Sequence, residues 1–189
     1  MPNKEIHSTL EFPTDSGETT AELFTWQEVK ALLDKETMRR AEYVSRLLLA
    51  LKEHFGDEVM HIARQVIYDM GYEKGQMRAR MVAEKGEEKS LESLADLVAH
   101  KIARLYYGTT PVLSEDQLVI RETYCALPVK WKAMGMTDDQ LVEFCLLFDQ
   151  IDRGMVEGYN PDFAGELTGC HGLAERGYCQ MVVRKRQID

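Results

Sequence analysis

Between residues 25 and 108 apolar side chains recur every three or four positions; after residue 116 the repeat shortens to two, then returns to helical spacing. Those changes of period divide the chain into elements. Thr25-Trp26-Gln27-Glu28 has the form of a capping box, with Phe24 and Val29 at the positions of a hydrophobic staple, so a helix is predicted to begin there. Val44, Leu47, Leu48, Leu51 and Phe55 continue it as one apolar stripe, and Gly56 offers a stop. Val59, Ile62, Ala63, Val66 and Met70 repeat the stripe in a second helix, which should return along the first as a hairpin. Gly71 and Gly75 share a face of that second helix, where tight packing of another helix is the favoured reading and close approach of a ligand the alternative.

A charged link from Glu84 to Lys89 leads to a third helix on Leu91, Leu94, Val98, Ile102 and Leu105, ended by Gly108 and Pro111. From Gln117 to Cys125 alternation predicts a strand, with Leu118, Ile120, Glu122 and Tyr124 on one face and Val119, Arg121, Thr123 and Cys125 on the other. Pro128 and Gly135 bound a short turn or helix carrying Trp131. Thr137-Asp138-Asp139-Gln140 is a second capping box, and the helix it opens presents Leu141, Phe144, Cys145, Phe148, Ile151 and Met155 before stopping at Gly158 and Asn160-Pro161. Residues 162 to 168 and 177 to 184 read as two short strands joined by a glycine-containing turn. The fold class expected is α+β, a helical N-terminal two-thirds packed on a small antiparallel sheet with one embedded helix. Residues 1–22, with Pro2, Pro13 and Ser16-Gly17, suggest a flexible arm, and 23–189 a single α+β domain.

Composition narrows the function classes. With 44% apolar and 29% charged residues over 189 positions, the chain can bury a real core. A net charge of −9 disfavours nucleic acid as partner, and Arg184-Lys185-Arg186 reads as a solvated tail. No apolar run is long enough to span a bilayer and the first residues lack a basic-then-apolar signal, so no membrane partner and a cytoplasmic location are expected. Four widely spaced cysteines read as reduced thiols. A stripe that faces a partner has the same pattern as one that faces a core, so pairing of two copies through the helical front stays open.

The candidate chemistry lies between Cys125 and Cys179. Cys145 and Asp149 sit one helical turn apart on the same side, and Asp152 continues that side. A carboxylate on a largely apolar face needs a partner, for which Arg121 or a cationic substrate would serve; the plainer alternative makes Cys145 a core residue and Asp149 a boundary residue. Cys170-His171, with Cys125, Cys145 and Cys179, supplies soft ligands for zinc or iron, but no Cys-x-x-Cys pair is present and no cofactor is predicted from this spacing. His171 could instead take a proton from a thiol. Cys179, inside an apolar strand run, reads as packing. Asn160 before Pro161 either satisfies backbone groups where the helix stops or offers an amide to a ligand.

Taken in order, Cys125-Ala-Leu-Pro128, Trp131, Gly135, Cys145, Asp149, Gly158-Tyr159-Asn160-Pro161, Leu167-Thr168-Gly169 and Cys179 resemble the L-2-amino-thiazoline-4-carboxylic acid hydrolase family. One departure is Cys170-His171, where the family pattern has an aspartate after the glycine. The resemblance implies hydrolysis of an amidine or isothiourea-like C=N bond in a small cyclic, amino-acid-like substrate, opening the ring toward a carbamoylated cysteine. It implies Cys145 as nucleophile, Asp149 as partner of the amidinium and Asn160 as a polar positioner, with Arg121, Cys125, Trp131 and His171 around the substrate. A non-catalytic module that holds a small molecule or metal through the same residues is the competing expectation.

Overall fold

The computed structural model describes residues 7–13, 19–170 and 177–186. Strands β1 (His7–Pro13) and β2 (Thr19–Thr25) pair antiparallel, with His7 opposite Thr25 and Pro13 opposite Thr19. This hairpin lies largely within the stretch expected as an arm without regular structure. Leu10, Phe12, Ala21 and Leu23 do alternate with polar residues, but Pro13 and Ser16-Gly17 dilute the signal.

Helix α1 (Trp26–Phe55) starts at the predicted box: Glu28 N donates to Thr25 Oγ1 and Thr25 N donates to Glu28 Oε2 at 2.8 Å. Gly56, at φ 77°, turns the chain into α2 (Glu58–Glu84). The third predicted helix divides into α3 (Leu91–Val98) and α4 (Lys101–Tyr106). The break falls at His100, whose Nδ1 accepts from Ala103 N and recaps the chain. Strand β3 (Thr110–Leu113) was not predicted because it contains Pro111; it is an edge strand, where proline costs least. Then come β4 (Gln117–Glu122), α5 (Ala126–Ala133), α6 (Asp138–Tyr159), β5 (Phe163–Gly169) and β6 (Cys179–Lys185). The sheet runs β3-β4-β6-β5 with every neighbouring pair antiparallel. The α+β class is thus observed, with the helices leading and α6 embedded among the strands.

α6 is the element around which the rest packs. Its second capping box forms as predicted, with Gln140 N donating to Thr137 Oγ1 and Thr137 N to Gln140 Oε1. One end carries Leu141, Phe144 and Leu147 into a cluster with Trp131, Leu48 and Met60. The other end carries Val156 and Tyr159 into a second cluster with Leu94, Leu118, Phe163 and Val183 beneath the sheet. Trp131 and Tyr159 are wholly buried, and each satisfies its polar atom: Trp131 Nε1 donates to Ser45 Oγ at 2.7 Å, and Tyr159 Oη lies 2.6 Å from Ser93 Oγ.

Glycines set how close α2 and α6 come. A Cβ at Gly71 would overlap the Ile151 carbonyl and one at Gly75 the Met155 carbonyl; in return, a Cβ at Gly154 would overlap the Tyr68 carbonyl and one at Gly158 that of Tyr72. The favoured reading of Gly71 and Gly75, tight helix packing, is what the backbone does. No described helix is long and apolar enough to cross a membrane.

Candidate functional site

Side chains from α2, α3, α4, β4, α5, α6, β5 and β6 leave a cavity of about 360 Å³, within the size range of small-molecule sites. Much of its wall is apolar, with Ile120, Leu127, Phe148 and Met181 among the lining residues. Into this wall are set four thiols, three carboxylates and one guanidinium: Cys125, Cys145, Cys170, Cys179, Glu122, Asp149, Asp152 and Arg78.

Each polar group arrives by a definite route. On α6 the spacing Cys145, Asp149, Asp152 lays all three along the cavity side of one helix, the disposition predicted from the sequence. Glu122 comes from the inward face of β4, in phase with buried Leu118 and Ile120. Cys125 belongs to the outward phase by simple alternation, yet β4 ends at Glu122 and Cys125 becomes the N-cap of α5, which brings it to the cavity. Cys179 opens β6 and Cys170 follows β5.

Burial governs the charge states. It pushes Asp149 up to about 7, with Asp152 adding repulsion and Arg153 opposing it. Asp152 rises to about 6, again through burial, held back by Arg78 and Lys74. Asp152 lines the cavity and is exposed by surface area, although protein packs densely around it. Glu122 rises to about 7 through burial and Asp152, against a hydrogen bond from Thr109 Oγ1 at 3.3 Å. Arg78 is pulled down by the same burial, with Asp152 holding it up.

The thiols move in the same sense. Cys125 is pushed up to about 12, chiefly by burial. Cys145 is driven higher still, first by burial and then by the Cys170 thiol against it. Both are protonated at neutral pH, so either acts as a nucleophile only if its proton is removed during attack. None of the four cysteines is in a disulfide.

Asp149 is the least satisfied group in this wall. Only 6% of the residue is exposed. Arg153 Nε stands 3.3 Å from Asp149 Oδ2, close enough for attraction but off the line a hydrogen bond needs. Asp149 Oδ1 and Arg153 Nε therefore have no hydrogen-bond partner among the described residues. A buried carboxylate oxygen in that condition lacks the hydrogen bond that its burial calls for.

The sequence-predicted residues divide between this cavity and other places. Cys145, Asp149, Cys125 and Trp131 line it together. Arg121 does not: it is exposed on the outer face of the sheet, donating to Gln180 Oε1 at 2.8 Å beside the Tyr178 ring, because its strand phase is opposite to that of Glu122. Asn160 does not either. As the C-cap of α6 it donates through Nδ2 to the Lys89 carbonyl at 2.9 Å and accepts from Asp162 N at 3.0 Å, the structural alternative its sequence position allowed. His171 lies outside the described residues. Cys179, read as packing, lines the cavity wall. Among the described residues no group of three or more His, Cys, Asp and Glu side chains could hold a metal ion.

Sequence reasoning passed over Arg78, Glu122, His100 and Tyr107, all of which line the cavity, and left Asp152 out of the preferred set. Two carried a signal. Glu122 is an acid in phase with apolar Leu118 and Ile120, and Arg78 is three residues beyond Gly75, on the helix side that meets α6.

Fold and site together define an α+β protein with an internal cavity of thiols and carboxylates. In fold it is similar to a trafficking protein particle complex subunit 3 from Naegleria fowleri, solved covalently bound to palmitic acid, with TM-score 0.54 and 13% identity over 80% of this chain and 96% of that one. It is also similar to the phenol-responsive sensory domain of the transcription activator PoxR, solved with phenol, with TM-score 0.52 and 11% identity over 92% of this chain and 83% of that one. No curated protein matches the sequence. The family model described as L-2-amino-thiazoline-4-carboxylic acid hydrolase matches residues 36–181, and the chain belongs to that family.

Proposed function

We propose that this protein adds water across the amidine or isothiourea-like C=N bond of a small cyclic, amino-acid-like substrate and so opens its ring, and that the cavity beneath α6 is its active site. The observation that carries the reading is the pair of carboxylates Asp149 and Asp152 on one side of α6 in the cavity wall. Two adjacent carboxylates suit a flat cation with several N–H donors, and binding it relieves their mutual repulsion. Family membership over residues 36–181 supports the reaction class.

In this reading the amidinium donates to Asp149 and Asp152, while Arg78, the guanidinium lining the same cavity, meets the substrate carboxylate in the role first expected of Arg121. Phe148, backed by Trp131 at 5.5 Å between ring centroids, lies beside the substrate ring. Water adds to the amidine carbon as its proton passes to a neighbouring carboxylate, and the C=N electron pair moves to nitrogen. Collapse of the tetrahedral carbon expels the ring sulfur as a thiol and leaves a carbamoylated cysteine. In the alternative route Cys145 attacks first, its proton passing to Asp149 one turn along the helix, and the ring sulfur leaves as a thiol; water then adds to the carbon of the resulting covalent isothiourea and expels the Cys145 thiol, releasing the same carbamoylated cysteine.

Release of carbamoylated cysteine from 2-amino-thiazoline-4-carboxylate tests the proposal. Wild-type turnover with loss of about 100-fold or more in Asp149→Asn is the expected result, and no turnover under aerobic or anaerobic conditions would overturn the reaction. The Cys145→Ala variant separates the two routes: retained turnover assigns attack to water, and complete loss with substrate binding intact assigns it to the thiol.

A second reading, a non-catalytic small-molecule sensor, draws on the protonated thiols and the apolar wall. Its mark is saturable binding of the same compound with no product formed.

A further inference from the structure

Three carboxyl groups line the cavity, and their surroundings differ. Asp149 has Arg153 Nε at 3.3 Å, and Asp152 has Arg78 and Lys74 acting on it. Glu122 stands on the sheet side, on the inward phase of β4 with Leu118 and Ile120, and its charged neighbour is another acid, Asp152. No described cation forms an ion pair with it. Its hydrogen-bond partner, the Thr109 hydroxyl at 3.3 Å, also donates to the Ala103 carbonyl at 3.1 Å, so one hydrogen serves two acceptors. A buried carboxyl so placed keeps its proton where its two neighbours, faced by cations, give theirs up.

We propose that Glu122 is the general acid of the ring opening, the group that gives a proton to the sulfur as it leaves. The role rests on the amidine hydrolysis proposed above, which sends the proton of water to a carboxylate and leaves the source of the thiol proton unassigned. Substrate geometry places the donor. In 2-amino-thiazoline-4-carboxylate the amidinium carbon carries the exocyclic nitrogen, the ring nitrogen and the sulfur spread evenly in one plane. When the two N–H groups face Asp149 and Asp152 on α6, the sulfur points away from that helix, toward the sheet that carries Glu122. The amidinium holds the α6 carboxyls in their ionised form, and the carboxyl on the sheet side keeps its proton. Water adds to the amidinium carbon and its proton goes to a carboxylate of α6. As the C–S bond breaks, its electron pair goes to sulfur, which takes the Glu122 proton; the hydroxyl on that carbon gives its own proton to the Glu122 carboxylate as the carbonyl forms. One proton remains on α6 and passes to solvent. In the route through Cys145 the ring sulfur takes the same proton.

Glu122→Gln tests this, because it keeps the shape of the side chain and retains a donor for Thr109 Oγ1 but has no proton to give. Turnover of 2-amino-thiazoline-4-carboxylate by the full chain should fall about 100-fold or more, while affinity in calorimetric titration stays within about threefold of wild type. The analogue with selenium in the ring position of sulfur separates proton donation from a distorted site. A selenolate leaves without a proton, so Glu122→Gln should slow the opening of that ring by less than about tenfold. Wild-type turnover of the sulfur compound in Glu122→Gln overturns the assignment, and so does an equal loss with both compounds or a loss of binding. No turnover of the sulfur compound by the wild-type protein overturns the hydrolytic reading itself, and the role of Glu122 with it.

Discussion

Asp149 illustrates how one side chain couples stability to binding. Its carboxyl is pushed from the ordinary aspartate value of 3.8 up to about 7 by burial and by Asp152. Between those values the folded state holds a proton that the unfolded chain has released, so stability falls as pH rises from about 4 to 7 and the penalty is complete above 7. Asp152 and Glu122, raised in the same direction, steepen that fall. Asp149→Asn removes one titrating group. Chemical denaturation at a series of pH values should therefore show a shallower slope for the variant, and at pH 8 a stability at or above wild type by an amount on the order of a few kcal/mol. An unchanged slope would place the titration elsewhere. The location of Asp149 on the cavity side was legible in the sequence, since Cys145, Asp149 and Asp152 follow one helical side. Its missing partner was not: the cation proposed for it, Arg121, belongs to the opposite phase of β4 and faces solvent.

Helices carry the site because their caps and glycines fix them. The two capping boxes at Thr25 and Thr137 are legible in the sequence, and both helices begin there. What spacing could not reveal is that Gly71 and Gly75 of α2 meet Gly154 and Gly158 of α6, a long-range pairing between separate segments of sequence. Gly158→Ala should push its methyl group against the Tyr72 carbonyl. Urea unfolding should then show a loss of about 1–3 kcal/mol or more, together with weaker ligand binding as α6 shifts relative to Arg78. Wild-type stability in that variant would mean the helices can separate freely. Two element-level expectations needed correction for physical reasons. The helix predicted across Leu91 to Leu105 is interrupted because His100 caps a new start, and β3 escaped notice because proline at an edge strand looks like a breaker.

The cavity exists because a helical hairpin, a short sheet and α6 converge, and no local pattern announces such convergence. Sequence order placed Cys125, Trp131, Cys145 and Asp149 in one candidate set, and the fold brings those four to one cavity. Asn160 belonged to the same ordered pattern, but its amide closes the end of α6 against Lys89 and Asp162. Arg78 and Glu122 come from elements distant in sequence, so only the packed chain makes them neighbours of α6. The central claim, that this cavity takes a small amidinium-type ligand through Asp149 and its neighbours, meets its most direct test in calorimetric titration with 2-amino-thiazoline-4-carboxylate. The account predicts saturable one-to-one binding that strengthens as pH rises through about 6 to 7, where Asp152 and Asp149 ionise, and that weakens by about tenfold or more in Asp149→Asn. Absence of binding to the wild-type protein, or binding that Asp149→Asn leaves unchanged, would contradict it.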